Sequence, residues 1–293
     1  SVLIKAKAKA KFDKEIGRER GGQVAAKNLF ALVKRFFRWA VAQPEYGLSG
    51  SPCANLSAAA LIGEGSNSRE RTLNDDELRA FWTATGRMEK PFKQAYRMLL
   101  LSALRKNEVA EAVRDEFDRE HLEWTISGER MKGTDRGKRQ SRPHLVPLIP
   151  AMSEILDDLP EFKRPFVFST TYGEKPVYLG SKPKRELDGL MLEALREMAV
   201  ERGKDPNAVE LKQFSTHDLR RTARSRLAKL GISDAVAEAI LAHRQPGVLG
   251  VYNRHAYADE KRAALEKWAA HIRDLVEPPP ANVVQLHPTA EIA

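Results

Sequence analysis

Apolar residues recur at helical spacing on both sides of one short interval, residues 121–148, where the spacing changes to that of strands. His121 to Ser127 and His144 to Leu148 read as two strands joined by a long polar, basic loop, and Phe166 to Ser169 reads as a third. Helices are expected at 23–43, after Asn74, over Phe92–Leu104, Glu108–Val113 and Pro150–Leu159, and at about 185–202, 216–230, 233–243, 247–253 and 258–275. Many helices and one brief strand interval predict a mainly α chain with a small antiparallel β-sheet, an α+β fold.

Punctuation divides the chain. Pro44, Gly47, Gly50, Pro52, Gly63 and Gly65 break the pattern over residues 44–72, which reads as a linker. Asn74 with Glu77 three residues on has the form of a capping box opening the next helix. In the helix at 23–43, Leu29, Leu32, Val33, Phe36 and Ala40 share one side, with Lys27, Lys34 and Arg38 opposite. Ile4 to Phe12 alternates Lys with apolar residues and fits a strand, a helix start or a loose arm. Trp39, Trp82, Trp124 and Trp268 read as core anchors, and Tyr172 and Tyr178 as packing or loop residues. Pro278 to Pro280 open a tail carrying Val283, Val284 and Leu286.

The single cysteine, Cys53, excludes a disulfide framework and any multi-Cys zinc site. No metal motif or Gly-rich phosphate loop is found, so no cofactor is expected. No apolar run has transmembrane length and no signal segment is visible, so a soluble, cytoplasmic protein without a membrane partner is expected.

The net charge of +9 is unevenly spread. Residues 1–45 carry +7, residues 129–144 carry +4 and residues 216–229 carry +4, which leaves −6 for the remainder. Such clusters suit a polyanion, most simply nucleic acid, and equally suit solvated basic faces.

One segment narrows the choice. In His217-Asp218-Leu219-Arg220-Arg221-Thr222, Thr216 can cap a helix whose first turn then holds His217 and Arg220 on one face. A helix start, a guanidinium fork and an imidazole together describe a phosphate site with a proton-transfer group. A basic surface helix capped by a His fits as well. Other segments add to it: Arg105 and Glu108 follow an apolar helix, Met131-Lys132-Gly133 ends a strand, and Leu241-Ala242-His243 closes a helix nine residues before Tyr252.

In these residues and their order the sequence resembles the tyrosine recombinase family, which includes the phage integrases, over about residues 72–276. Arg105 with Glu108 fits the family's first arginine motif, Lys132 its hairpin lysine, and His217 with Arg220 its His-x-x-Arg. His243 fits its second histidine, with Ala242 where the family has Gly, and Tyr252 its nucleophile; Tyr257, five residues later, lacks the spacing. Phe37-Arg38-Trp39-Ala40, the Thr72–Leu78 segment and Arg142-Pro143-His144 are similar to integrases of prophages and genomic islands.

The resemblance implies a DNA breaking–rejoining catalytic domain at 69–276, preceded by a short helical core-binding domain at 1–68 and followed by a tail at 277–293. The N-terminal arm-binding domain of such integrases is expected to be absent. It implies metal-free transesterification through a 3′-phosphotyrosine at Tyr252. Arg105, Arg220 and His243 would hold the phosphate, His217 would move a proton, and Lys132 would protonate the leaving oxygen, with Lys138 a rival. Glu108 would orient its neighbours, and Lys27, Lys34, Arg38 and Arg221 would bind DNA. The implied partners are double-stranded DNA with a specific site, four copies of a chain that is monomeric off DNA, a host bending protein and an excisionase, all at the nucleoid. A type IB topoisomerase and a non-catalytic DNA-binding regulator of the same fold are the alternatives.

Overall fold

The computed structural model describes residues 11–13, 18–20, 22–63, 70–131, 142–243 and 257–277. Lys132, Lys138, Tyr252, the expected helix at 247–253 and the tail from 278 lie outside them. The chain divides into two compact units, residues 1–69 and 70–293.

The first unit holds β1 (Lys11–Asp13) paired antiparallel with β2 (Arg18–Arg20), then α1 (Gly22–Val41) and α2 (Ala58–Ile62). Residues 44–63 are not the linker expected of them. Pro44–Tyr46 form a 3-10 turn, and Ser57 caps α2 by accepting the Ala60 N–H at 3.1 Å. Ile62 then packs with Ala26 and Phe30 of α1. This rotates the buried side of α1 away from the expected stripe: Leu32 is 63% and Phe36 55% exposed. Trp39, expected as a core anchor, is 50% exposed and lies in an aromatic run with Phe36 and Tyr46.

The second unit begins with α3 (Asp75–Gly86), opened by the expected capping box: Asn74 Oδ1 accepts the Glu77 N–H and Glu77 Oε2 accepts the Asn74 N–H, both at 2.9 Å. The apolar α4 (Phe92–Ser102) is buried along most of its length, and α5 (Lys106–Ala110) follows it directly. A three-stranded antiparallel sheet comes next, in the order β3 (Phe117–Asp118), β4 (Glu123–Ile126), β5 (His144–Pro147). Trp124 pairs with Val146 in register and stacks on Phe117. Two strand expectations need correction. Phe166–Ser169 makes only an isolated bridge from Phe166 to Val113. β4 ends at Ile126, so Met131 follows a turn rather than the strand end.

The rest is helical: α6 (Pro150–Asp157), α7 (Ser181–Glu201), α8 (Thr216–Lys229), α9 (Asp234–Ile240) and α10 (Ala258–Val276). α3 packs against α7 and α10, and α4 against α6 and α8. Trp268 of α10 is fully buried and donates to the Leu100 carbonyl at 2.9 Å, the partner a buried indole needs. Among the described residues no helix is long and apolar enough to cross a membrane.

Candidate active site

α8 begins one residue earlier than a Thr216 cap would place it. Ser215 is the N-cap, and Asp218 Oδ2 accepts both its N–H (2.7 Å) and its Oγ–H (2.8 Å). Arg220 therefore lies in the second turn and is only 3% exposed. It is no surface cation at a helix start.

Its guanidinium donates through Nη1 to the Ala103 carbonyl at 2.7 Å and through Nη2 to the Leu241 carbonyl. Ala103 is the left-handed residue (φ 54°) that ends α4, and Leu241 closes α9. One side chain of α8 thus ties two helix ends together, those of α4 and α9, which lead into Arg105 and His243. Burial, followed by the nearby Arg105 charge, pulls the Arg220 pKa down to about 10. The group remains cationic at neutral pH, with donors already placed for an anion.

Arg105 sits at the start of α5, half-buried. Glu108, 3% exposed, accepts its N–H at 2.8 Å and its Nη1–H at 2.6 Å. A carboxylate held on both backbone and fork fixes the direction of the guanidinium. Glu108 thus touches Arg105; no contact to His217 is seen among the described residues. Arg130 reinforces this corner by donating to the Glu108 carbonyl at 2.8 Å while pairing with half-buried Glu116.

His243 is set by the end of α9. Its N–H reaches back to the Glu238 carbonyl at 3.0 Å, and the Ala242 N–H reaches the Ala239 carbonyl at 3.2 Å. This is a Schellman closure, with Ala242 (φ 49°) in the left-handed position that Gly usually fills. His243 Nε2 then lies 3.0 Å from Arg220 Nη2, and Nδ1 lies 2.6 Å from Glu238 Oε2. His217 is exposed at the mouth of the site. Partial burial, then the charges of Arg221 and Arg220, hold its pKa below the ordinary imidazole value.

Arg105, Glu108, His217, Arg220 and His243 are therefore brought together, while Lys132 and Tyr252 lie outside the described residues. Arg221 is committed to Asp218. Of the basic stripe on α1, Arg38 is exposed and Lys27 half-buried, and Lys34 Nζ donates to the Leu56 carbonyl at 3.1 Å. The sequence reading missed Glu238 and His144. His144 is buried on β5 with Nε2 3.1 Å from the Ile240 carbonyl at the end of α9. Both act through contacts that have no motif.

A helical unit with one three-stranded sheet, its basic side chains gathered where helices end, has the catalytic-domain fold of the tyrosine recombinases. The Tn1549 transposon integrase in complex with transposon right end DNA shares it: TM-score 0.52 and 18% identity, over 91% of this chain and 85% of that one. The phage integrase family matches residues 71–259, well over half the chain, and the protein belongs to that family. Among its relatives, prophage integrase IntZ of Escherichia coli (strain K12) is 27% identical over 88% of this chain and 58% of its own length. Prophage integrase IntA of the same strain is 30% identical over 58% of this chain and 36% of its own. The chain therefore spans about half, or less, of the relatives it matches.

Proposed function

We propose that this protein is a site-specific DNA recombinase of the integrase type, cleaving and rejoining double-stranded DNA through a 3′-phosphotyrosine at Tyr252. The observation that carries this is the Arg220 guanidinium, buried, anchored on two carbonyls and facing His243 beside Arg105. Fixed cations of this kind stabilise charge that develops on a phosphoryl group without reorganising during the reaction.

In this reading Arg105 and Arg220 take the nonbridging oxygens and His243 adds a hydrogen bond. His217, held neutral by its surroundings, accepts the phenol proton that a weak nucleophile must lose. Lys132 protonates the departing 5′ oxygen, with Lys138 its rival, and Glu108 positions Arg105. The first unit serves as the core-binding domain and the second as the catalytic domain. The DNA site is specific, and four copies assemble on paired sites, with a host bending protein and an excisionase as further partners at the nucleoid. The DNA-bound fold of the Tn1549 integrase supports the choice of DNA as the partner.

The test is a covalent adduct on nicked duplexes. Wild type should form one, and Tyr252→Phe, which removes one oxygen, should bind DNA and form none. An adduct that survives in Tyr252→Phe and vanishes only when Tyr257 is also changed would overturn the assignment. Lys132→Ala should be rescued by a 5′-phosphorothiolate substrate, whose sulfur leaves without a proton; rescue of Lys138→Ala instead would move the acid there.

A further inference from the structure

The histidine that faces Arg220 is held from behind by a carboxylate that no motif assigns. Glu238 lies in the last turn of α9. Its Oε2 is 2.6 Å from His243 Nδ1, and its Oε1 accepts Arg224 Nε at 2.8 Å. Arg224 also reaches Asp234 Oδ1 at 2.6 Å. Arg224 stands four residues after Arg220, one turn along the same face of α8. The contacts therefore close a ring: α8 holds His243 Nε2 through Arg220, and holds His243 Nδ1 through Arg224 and Glu238.

Donor chemistry fixes the ring's protonation. An arginine can only donate, so Nε2, 3.0 Å from Arg220 Nη2, must present its lone pair. Glu238 is ionised: burial pushes its pKa up, but the hydrogen bonds from Arg224 and His243 outweigh that and hold it below the ordinary value. An ionised carboxylate can only accept, so Nδ1 carries the proton. Both constraints select the same tautomer.

We propose that Glu238 is a positioning residue for strand transfer: braced by Arg224, it locks His243 as the Nδ1–H tautomer with Nε2 turned into the phosphate pocket beside Arg220. This rests on the recombinase reading for its consequence but not for its geometry. To bond a phosphate oxygen, Nε2 gains one proton from solvent, and the carboxylate behind Nδ1 stabilises the imidazolium that results. Without Glu238 the ring is free to turn and to exchange tautomers.

The full chain with 15N-labelled histidine separates the two layers. In wild type without DNA, His243 should show a protonated Nδ1 and an unprotonated Nε2. In Glu238→Ala the pattern should become that of exchanging tautomers, and in Arg224→Ala it should shift part of the way. An unchanged single tautomer in Glu238→Ala overturns the proposal. On a mixed-sequence pool of nicked duplexes, Glu238→Ala should form adduct about tenfold more slowly at unchanged DNA retention. Glu238→Gln, which keeps one acceptor, should recover part of that loss. Adduct formation at the wild-type rate in Glu238→Ala would leave the tautomer lock without a role in strand transfer, and so overturns the proposal. A wild-type chain that forms no adduct on any duplex would sink the recombinase reading instead, and the spectra alone would then decide whether Glu238 locks the ring.

Discussion

Arg220 and Arg38 carry the same guanidinium in opposite surroundings. Arg220 is buried in the second unit with two carbonyls and an imidazole as partners. Arg38 stands exposed near the end of α1 in the first unit, with no hydrogen bond or ion pair among the described residues. Taking a cation out of water is costly, and a fold bears that cost only where position matters more than charge. Arg220 gains a fixed direction, which phosphoryl chemistry requires. Arg38 keeps its rotamers and its hydration, which suits a phosphate backbone met in many registers. Charge clustering in the sequence treats the two alike.

The strongest way to break this contrast is to remove Arg220. Arg220→Ala leaves the Ala103 and Leu241 carbonyls without their donor, at roughly 1–3 kcal/mol for each buried group. Adduct formation should fall by about a thousandfold or more, as when a preorganised donor is lost from a transition state. Arg220→Lys keeps the charge but not the fork, so it should recover stability more fully than cleavage. Thermal unfolding and adduct assays on the same preparations check both. Cleavage by the Ala variant within tenfold of wild type would mean that the buried guanidinium is only a strut.

His144 offers a second, smaller test, through pH. Burial, then the charge of Lys261, pushes its pKa down to about 3, so the folded protein holds it neutral. The unfolded chain takes up that proton below about 6.5. Stability owed to neutral His144 is therefore complete above pH 6.5 and is lost progressively as pH falls toward 3. In urea titrations wild type should lose stability more steeply over that window than His144→Gln. Parallel curves would remove His144 from the packing that holds the end of α9.

These tests also show what could be read in advance. The Asn74–Glu77 capping box and the last helix, expected at about 258–275, are local, and both were visible in the sequence. So was the grouping of Arg105, His217, Arg220 and His243, because a family pattern orders residues that the chain keeps far apart. The supports were not visible. Arg220 and His144 bond to backbone carbonyls, and a carbonyl has no residue type to recognise. Glu238 meets His243 only because Ala242 turns left-handed between them. The apolar stripe on α1 failed for a related reason: a helical wheel finds an apolar side, but α2 decides which side is covered.

Ala242 gives a third test, of about 1 kcal/mol. At φ 49° an alanine carries a steric penalty of about 1–2 kcal/mol that glycine escapes. Glycine loses roughly 0.5–1 kcal/mol of that gain to the greater freedom of the unfolded chain. Ala242→Gly should therefore raise the unfolding midpoint slightly and leave adduct formation within a few-fold of wild type. A destabilised variant would show that the alanine methyl contributes packing that its backbone angle conceals.

The smallest effect on the fold is expected from Arg38, and it completes the contrast with Arg220. Lys34 is an unsuitable probe, because its ammonium caps the Leu56 carbonyl and lies 5.6 Å from the centre of the Phe30 ring. Lys34→Ala would mix lost packing with lost charge. Arg38→Ala removes charge alone, so unfolding should shift by no more than about 0.5 kcal/mol. If Arg38 meets one phosphate, the slope of log affinity against log salt should flatten by about 0.9, equally for every duplex sequence. Adding Lys27→Ala should flatten it further by a similar step. A slope that does not move would take α1 off the DNA and leave its charge as ordinary surface; a sequence-dependent loss would make Arg38 a reader of bases, fixed in place as Arg220 is.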